Sequence, residues 1–87
     1  MNVIFLKTAW EEYVEWQTPQ NKKTISKIND LIKSIDRDGF NKGMGKPEAL
    51  IGRKAWSRRI NDEHRLVYAV TPDKDLLIFS CKGHYED

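Results

Sequence analysis

The chain has 87 residues, a formal net charge of +2, and 39% apolar and 10% aromatic content. That length supports one domain, 1–87, because two half-sized cores would each lack the apolar area to hold themselves together. The longest unbroken apolar run, Val3 to Leu6, is too short to span a bilayer. The N-terminus lacks a basic segment followed by an apolar stretch and a cleavage site, and a lone cysteine cannot close an internal disulfide. Both observations fit a soluble protein of the cytoplasm, with no membrane partner.

Asn2-Val3-Ile4-Phe5-Leu6 reads as a first strand, and its apolar run predicts a position inside the sheet. Thr8-Ala9-Trp10-Glu11 has the form of a capping box, so a first helix is expected there, with Trp10, Tyr13 and Val14 on one face. Thr18-Pro19 interrupts the pattern and can begin a second helix, since proline at the first helical position sacrifices no hydrogen bond. In that helix Ile25, Ile28, Leu31, Ile32 and Ile35 recur at three- and four-residue spacing. Lys22, Lys23, Lys27, Lys33 and Arg37 occupy most of the remaining surface. The two helices are expected to form an antiparallel hairpin.

Residues 38–54 carry Gly39, Gly43, Gly45, Pro47 and Gly52, which is loop chemistry with one turn of helix at Glu48-Ala49-Leu50. A loop this long in so small a domain is often functional. Residues 55–60, 65–70 and 76–81 read as a meander of three strands, joined by Asn61-Asp62 and Pro72-Asp73-Lys74-Asp75. The order β-α-α-β-β-β predicts an α+β layer: a two-helix hairpin packed on a mostly antiparallel four-stranded sheet.

The net charge averages three unlike segments. Residues 1–20 hold one Lys against three Glu, residues 21–60 hold eleven Lys or Arg against four acids, and residues 61–87 hold three cations against six acids. The central segment is therefore a +7 polycation, able to attract a polyanion and release its counterions, although a lysine-rich helix face is more often simply solvated.

Several side chains could do more than attract. Arg58 and Arg59 are adjacent in a strand, so alternation sends them to opposite faces; each is either a surface arginine or a fork for phosphate. Arg65 opens the next strand on the face shared by Val67 and Ala69, where a fixed guanidinium could neutralise charge on phosphate oxygens or pair with an acid. Glu48, behind Lys46-Pro47, is a solvated glutamate or a general base; the latter needs a carboxylate pKa raised from about 4.3. His84-Tyr85 follows the last strand, as an aromatic lid or as a proton donor beside a stacking ring. His64 sits at a turn, and two histidines with one cysteine, without close spacing, make no metal site. Cys81 reads as a buried small hydrophobe, and Trp10, Trp16 and Trp56 as packing residues. Glu48, Arg65 and His84 supply a base, a cation and an acid, the minimum set for cleaving RNA through its own 2′-hydroxyl.

Gly45-Lys46-Pro47-Glu48, Trp56-Ser57-Arg58-Arg59-Ile60, Glu63-His64-Arg65-Leu66-Val67-Tyr68-Ala69-Val70 and His84-Tyr85 carry a resemblance, in this order, to the YoeB (Txe/YoeB) toxins of the RelE/ParE superfamily. The chain resembles them over essentially its whole length. The resemblance implies a RelE/microbial-ribonuclease-like α+β fold and a type II toxin that enters the vacant A site of the 70S ribosome and cuts the translated mRNA, inhibiting translation. By position it makes Glu48 the general base, Arg65 the cation on the pentacovalent phosphate, His84 the general acid and Tyr85 a substrate-orienting residue. Lys46, Arg58 and Arg59 would hold RNA phosphates. No metal or cofactor is implied. The implied partners are a YefM-like antitoxin, operator DNA bound by the toxin–antitoxin complex, and a second copy of the toxin in a homodimer. The rival expectation is a ParE-like toxin of the same architecture that inhibits DNA gyrase by binding.

Overall fold

Helical spacing of apolar residues seats the longer helix. The structure, a computed structural model, describes residues 1–83. In it Ile28, Leu31 and Ile35 of α2 (Lys22–Asp38) are fully buried against Leu66, Tyr68, Leu76 and Ile78 of the sheet. A 3₁₀ turn, Pro19–Asn21, with proline at its start, leads directly into α2. The shorter α1 (Lys7–Glu15) adds Ala9 to the same core. It is tied to α2 by the Tyr13 hydroxyl, which donates to Asn29 Oδ1 at 2.7 Å. No helix among the described residues is long and apolar enough to cross a membrane.

Helix α1 departs from expectation in two ways. Its cap is Leu6, without a side-chain bond, so Thr8 lies within the first turn and no capping box forms. The Leu6 amide still donates to Ile78 O at 3.0 Å, while Leu6 O accepts from the Trp10 amide at 2.9 Å. Sheet pairing therefore decides where the helix begins. The inward stripe is Ala9, Tyr13 and Trp16, whereas Trp10 and Val14 face outward. Trp10 stacks on Tyr13, with ring centroids 6.2 Å apart, and meets Phe5 edge-on.

Among the described residues the sheet has five strands, not four, in the order β1-β5-β4-β3-β2: β1 (Val3–Phe5), β2 (Glu48–Ala49), β3 (Trp56–Arg59), β4 (Arg65–Val70) and β5 (Leu76–Ser80). β1 runs parallel to β5 and the other pairs are antiparallel. β1 is an edge strand with Val3 and Ile4 exposed, contrary to the interior position expected. An apolar run reports on the two faces of a strand and carries no information about whether both hydrogen-bonding edges are occupied. The added strand β2 replaces the turn of helix expected at residues 48–50. Ala49 pairs with Trp56, and the Leu50 amide donates to Ala55 O at 2.9 Å, closing a hairpin. Cross-strand pairing overrides the helical propensity of Glu-Ala-Leu.

Between α2 and the sheet lies Arg58, with no exposed surface. Nε donates to the Tyr68 hydroxyl at 2.9 Å, Nη1 to Ser34 Oγ and Met44 O at 3.0 Å each, and Nη2 to Gly39 O at 2.8 Å and Lys42 O at 2.6 Å. All five guanidinium donors are thus used inside the protein. Ser34 Oγ also accepts from the Met44 amide at 3.0 Å and donates to Asp38 Oδ2 at 3.0 Å. Hydrogen bonds from Arg37 first, then from Ser34, hold the Asp38 carboxyl below its ordinary range. The glycine-rich segment follows from this hub. A Cβ on Gly43 would collide with Ser34 Oγ and Asp38, and one on Gly45, at φ +87°, would stand 2.6 Å from Leu31 Cδ2.

Replacing Arg58 by Met is expected to cost about 3 kcal/mol or more, because three backbone carbonyls lose their donor in a buried site. Urea unfolding measures it; a loss under about 1 kcal/mol would show that the segment is held by other contacts.

Candidate active site

Strand alternation divides the arginines. Arg58 points to the helices; Ser57 and Arg59 therefore point to the opposite face. On that face the register sets Glu48 opposite Ser57, Ser57 opposite Val67, and Arg59 opposite Arg65. Residues from three consecutive strands thus meet by backbone pairing.

The Arg65 guanidinium is the centre of the group. Its Nε donates to Ser57 Oγ at 2.9 Å, and its Nη2 lies 3.8 Å from Glu48 Oε2. The second distance is an ion-pair contact, too long for a hydrogen bond. Nη2 is shielded from solvent yet has no hydrogen-bond partner among the described residues. A buried donor left unpaired costs about 1–3 kcal/mol, and more on a charged group. The arrangement is therefore incomplete in the absence of an acceptor, and an anionic oxygen would complete it. The two partners differ in exposure: 19% of the Arg65 side chain and 67% of the Glu48 side chain reach solvent. Arg65 is held and mostly enclosed, while Glu48 stands largely in solvent.

At the end of β3, Lys27, Gly45, Lys46, Arg59, Ile60 and Asn61 line a groove of about 280 Å³. Lys46 stands there in a left-handed conformation, φ +53°, and the Arg59 amide donates to the preceding carbonyl, Gly45 O, at 2.7 Å. Arg59 also pairs with Asp62. Arg59 is the cross-strand neighbour of Arg65, and Lys46 lines the same groove as Arg59. Arg58 was expected to hold RNA phosphate, but its burial and its five internal bonds leave it no donor to offer.

His84 and Tyr85 lie outside the described residues, but the chain leading to them is held firmly. The Arg65 amide donates to Gly83 O at 3.0 Å, and the Gly83 amide donates to His64 Nδ1 at 2.8 Å. His64 therefore serves as an acceptor, with its ring edge-on to Trp16 at 4.9 Å. From α1, Trp16 Nε1 donates to Cys81 O at 2.9 Å, Glu12 Oε1 accepts from the Cys81 amide at 2.9 Å, and Glu15 accepts from Lys82 Nζ at 2.8 Å. The acids on α1 thus secure the end of β5. Ser57, His64 and Glu12 were not singled out for these functions from sequence, because each acts through a partner 8 or more residues away whose proximity only the register supplies.

Residues 5–85 match the family described as YoeB-like toxin of bacterial type II toxin–antitoxin system. The chain is 49% identical over 88 residues to Toxin YoeB of Synechocystis sp., covering 99% of both proteins. Among solved structures it is similar to the toxin of the YoeB–YefM complex from Staphylococcus aureus, with TM-score 0.88, 50% identity and 98% of both chains covered. It is equally similar to the YoeB dimer of that organism, with TM-score 0.87, 50% identity and the same coverage.

Cys81 reports on the clasp at the end of β5. It is fully buried, its Sγ faces Ala9 O at 3.7 Å, and burial first, then the Glu12 and Glu15 charges, push the thiol up to about 12. Iodoacetamide at pH 8 is expected to leave Cys81 unmodified in the native protein while labelling it fully in urea, as read by intact mass. Rapid labelling of native protein would show that the clasp opens.

Proposed function

The chain belongs to the YoeB-like toxins of bacterial type II toxin–antitoxin systems, and on that basis, together with the site geometry, we propose that it is a ribosome-dependent mRNA endonuclease. The observation that carries the reading is the buried Nη2 of Arg65, which has no hydrogen-bond partner among the described residues and lies at ion-pair distance from the Glu48 carboxylate. A protein that acted only by occupying a partner's surface would gain nothing from keeping a guanidinium nitrogen dry and unsatisfied.

The chemistry follows from the groups present. Glu48 removes the proton from a ribose 2′-hydroxyl, the 2′-oxygen attacks the adjacent phosphorus, and the bond from phosphorus to the 5′-oxygen breaks. Arg65 meets the negative charge that develops on the non-bridging oxygens of the pentacovalent phosphate. His84, which follows the anchored Gly83 in sequence, supplies the proton to the departing 5′-oxygen, and Tyr85 orients the substrate. Lys46 and Arg59 hold flanking phosphates by charge. The products are a 2′,3′-cyclic or 3′-phosphate end and a 5′-hydroxyl end, and none of these steps calls for a metal.

The exposure of Glu48 accounts for dependence on the ribosome. A carboxylate open to water is a weak base; covering it and seating phosphate beside it raise its basicity. The vacant A site of the 70S ribosome would provide both the cover and the positioned message. The solved YoeB–YefM complex and YoeB dimer of the S. aureus relative motivate two further expectations: inhibition by a YefM-like antitoxin, and self-association. Operator DNA would be bound by the toxin–antitoxin complex. Action on translating ribosomes places the protein in the cytoplasm.

Purified protein added to stalled ribosomes with a defined codon in an empty A site is expected to cut the message, while the same RNA free in solution stays intact. Mapping of RNA ends reads both. Glu48→Ala and Arg65→Ala should each lower the cleavage rate by about 10²-fold or more, with thermal unfolding near that of the parent. Intact message on ribosomes would overturn the nuclease reading and favour the gyrase-binding alternative.

A further inference from the structure

Ser57 is a small polar residue of β3, 2% exposed, between inward-facing Trp56 and Arg58. Packing alone would be served as well by alanine. Its register makes it the direct cross-strand neighbour of Glu48 on one side and of Val67 on the other, with Arg65 diagonally across from it. Its Oγ accepts from Arg65 Nε at 2.9 Å.

That bond has a geometric consequence. A guanidinium is planar, so anchoring Nε fixes the rotation of the plane about the side chain and with it the direction of both Nη groups. The direction chosen leaves Nη2 toward Glu48 and without a hydrogen-bond acceptor among the described residues. An unanchored guanidinium could turn to satisfy that nitrogen elsewhere or close fully on the Glu48 carboxylate. Either motion would occupy the cation and the base with each other.

We infer that Ser57 is a positioning residue for the cleavage reaction: its hydroxyl holds the Arg65 guanidinium in the orientation that presents Nη2 to a phosphate oxygen and keeps Glu48 unclosed. The inference rests on the nuclease reading for its consequence, but the contact itself can be tested without cleavage. Ser57 is enclosed and its hydroxyl holds Arg65, so its effect passes through that side chain.

The test is a double-variant cycle on ribosomes with Ser57→Ala and Arg65→Lys, which lacks the Nε that Ser57 holds, read by single-turnover cleavage. Ser57→Ala is expected to slow cleavage by about ten- to a hundredfold, as for a misplaced catalytic group, with ribosome affinity unchanged and the native circular-dichroism spectrum retained. In the Arg65→Lys background it should have no further effect. Ser57→Cys, close in size and a weak acceptor, should behave like Ser57→Ala. In parallel, the Arg65 Nε–H resonance, identified by its loss in Arg65→Lys, should exchange slowly with water in the parent and rapidly in Ser57→Ala. Cleavage at the parental rate in Ser57→Ala, an equal slowing in both backgrounds, or an unchanged Nε–H signal would overturn the inference. If the parent itself does not cut ribosome-bound message, the nuclease reading fails, and the Nε–H signal still decides whether Ser57 holds Arg65.

Discussion

The Arg58 guanidinium, buried under α2, is the interaction on which the rest of the architecture depends. It gathers the Gly39, Lys42 and Met44 carbonyls, the Ser34 hydroxyl and the Tyr68 hydroxyl around one cation. A segment rich in glycine would otherwise have high conformational freedom. Pinned at three carbonyls, it must cross closely over Leu31 and the end of β3, which is why Gly45 can carry no side chain there. The chain then leaves in a defined direction through Lys46 and Pro47, and β2 can pair with β3. Burying a charge is costly unless every donor is met, and here every donor is met. The cost is offset by turning a loop into a platform.

Three arginines illustrate how a fold assigns different roles to one residue type. Arg58 and Arg59 are neighbours in sequence and opposite in environment, one fully enclosed and one exposed beside Asp62. Arg65, directly across from Arg59 in the ladder, is enclosed on most sides but has one nitrogen without a hydrogen-bond partner among the described residues. Parity separates the first two, and neighbouring acceptors separate the third from both. Shifting β3 by one residue would exchange Arg58 and Ser57 between faces, removing the hub and the anchor of Arg65 together. Structural integrity and the candidate site therefore share one register.

Much of this was legible in the sequence, and what was not has a common cause. Ile28, Leu31 and Ile35 announced α2 through spacing; residues 65–70 and 76–81 announced β4 and β5 through alternation and turn chemistry; Cys81 read as buried. Glu48 and Arg65 were identified as candidate partners, and the structure brings them within ion-pair distance. The misses lie where tertiary pairing outweighs local preference. Glu48-Ala49 became a strand because β3 offered a free edge. The Thr8 capping box did not form because Leu6 was already committed to the sheet. Arg58 could be told from Arg59 only by knowing which face α2 covers, since the sequence states the alternation and leaves its phase undefined.

The contrast in exposure between Arg65 and Glu48 bears on how such a protein could be harmless away from its target. A site with both groups buried would be prepared for reaction at all times, and would have to exclude water and bind substrate through its own surface. Here the cation is prepared and the carboxylate is not. Nη2, without a hydrogen-bond partner among the described residues, would be satisfied by an anionic oxygen, while Glu48 stands in water. Under the proposed function, dividing preparation in this way assigns part of the site's assembly to whatever presents the substrate. The protein's own share is the rigid part: a guanidinium held by Ser57, a ladder that sets Glu48 across from it, and a C-terminal segment tied down at Gly83 by His64 and the Arg65 backbone.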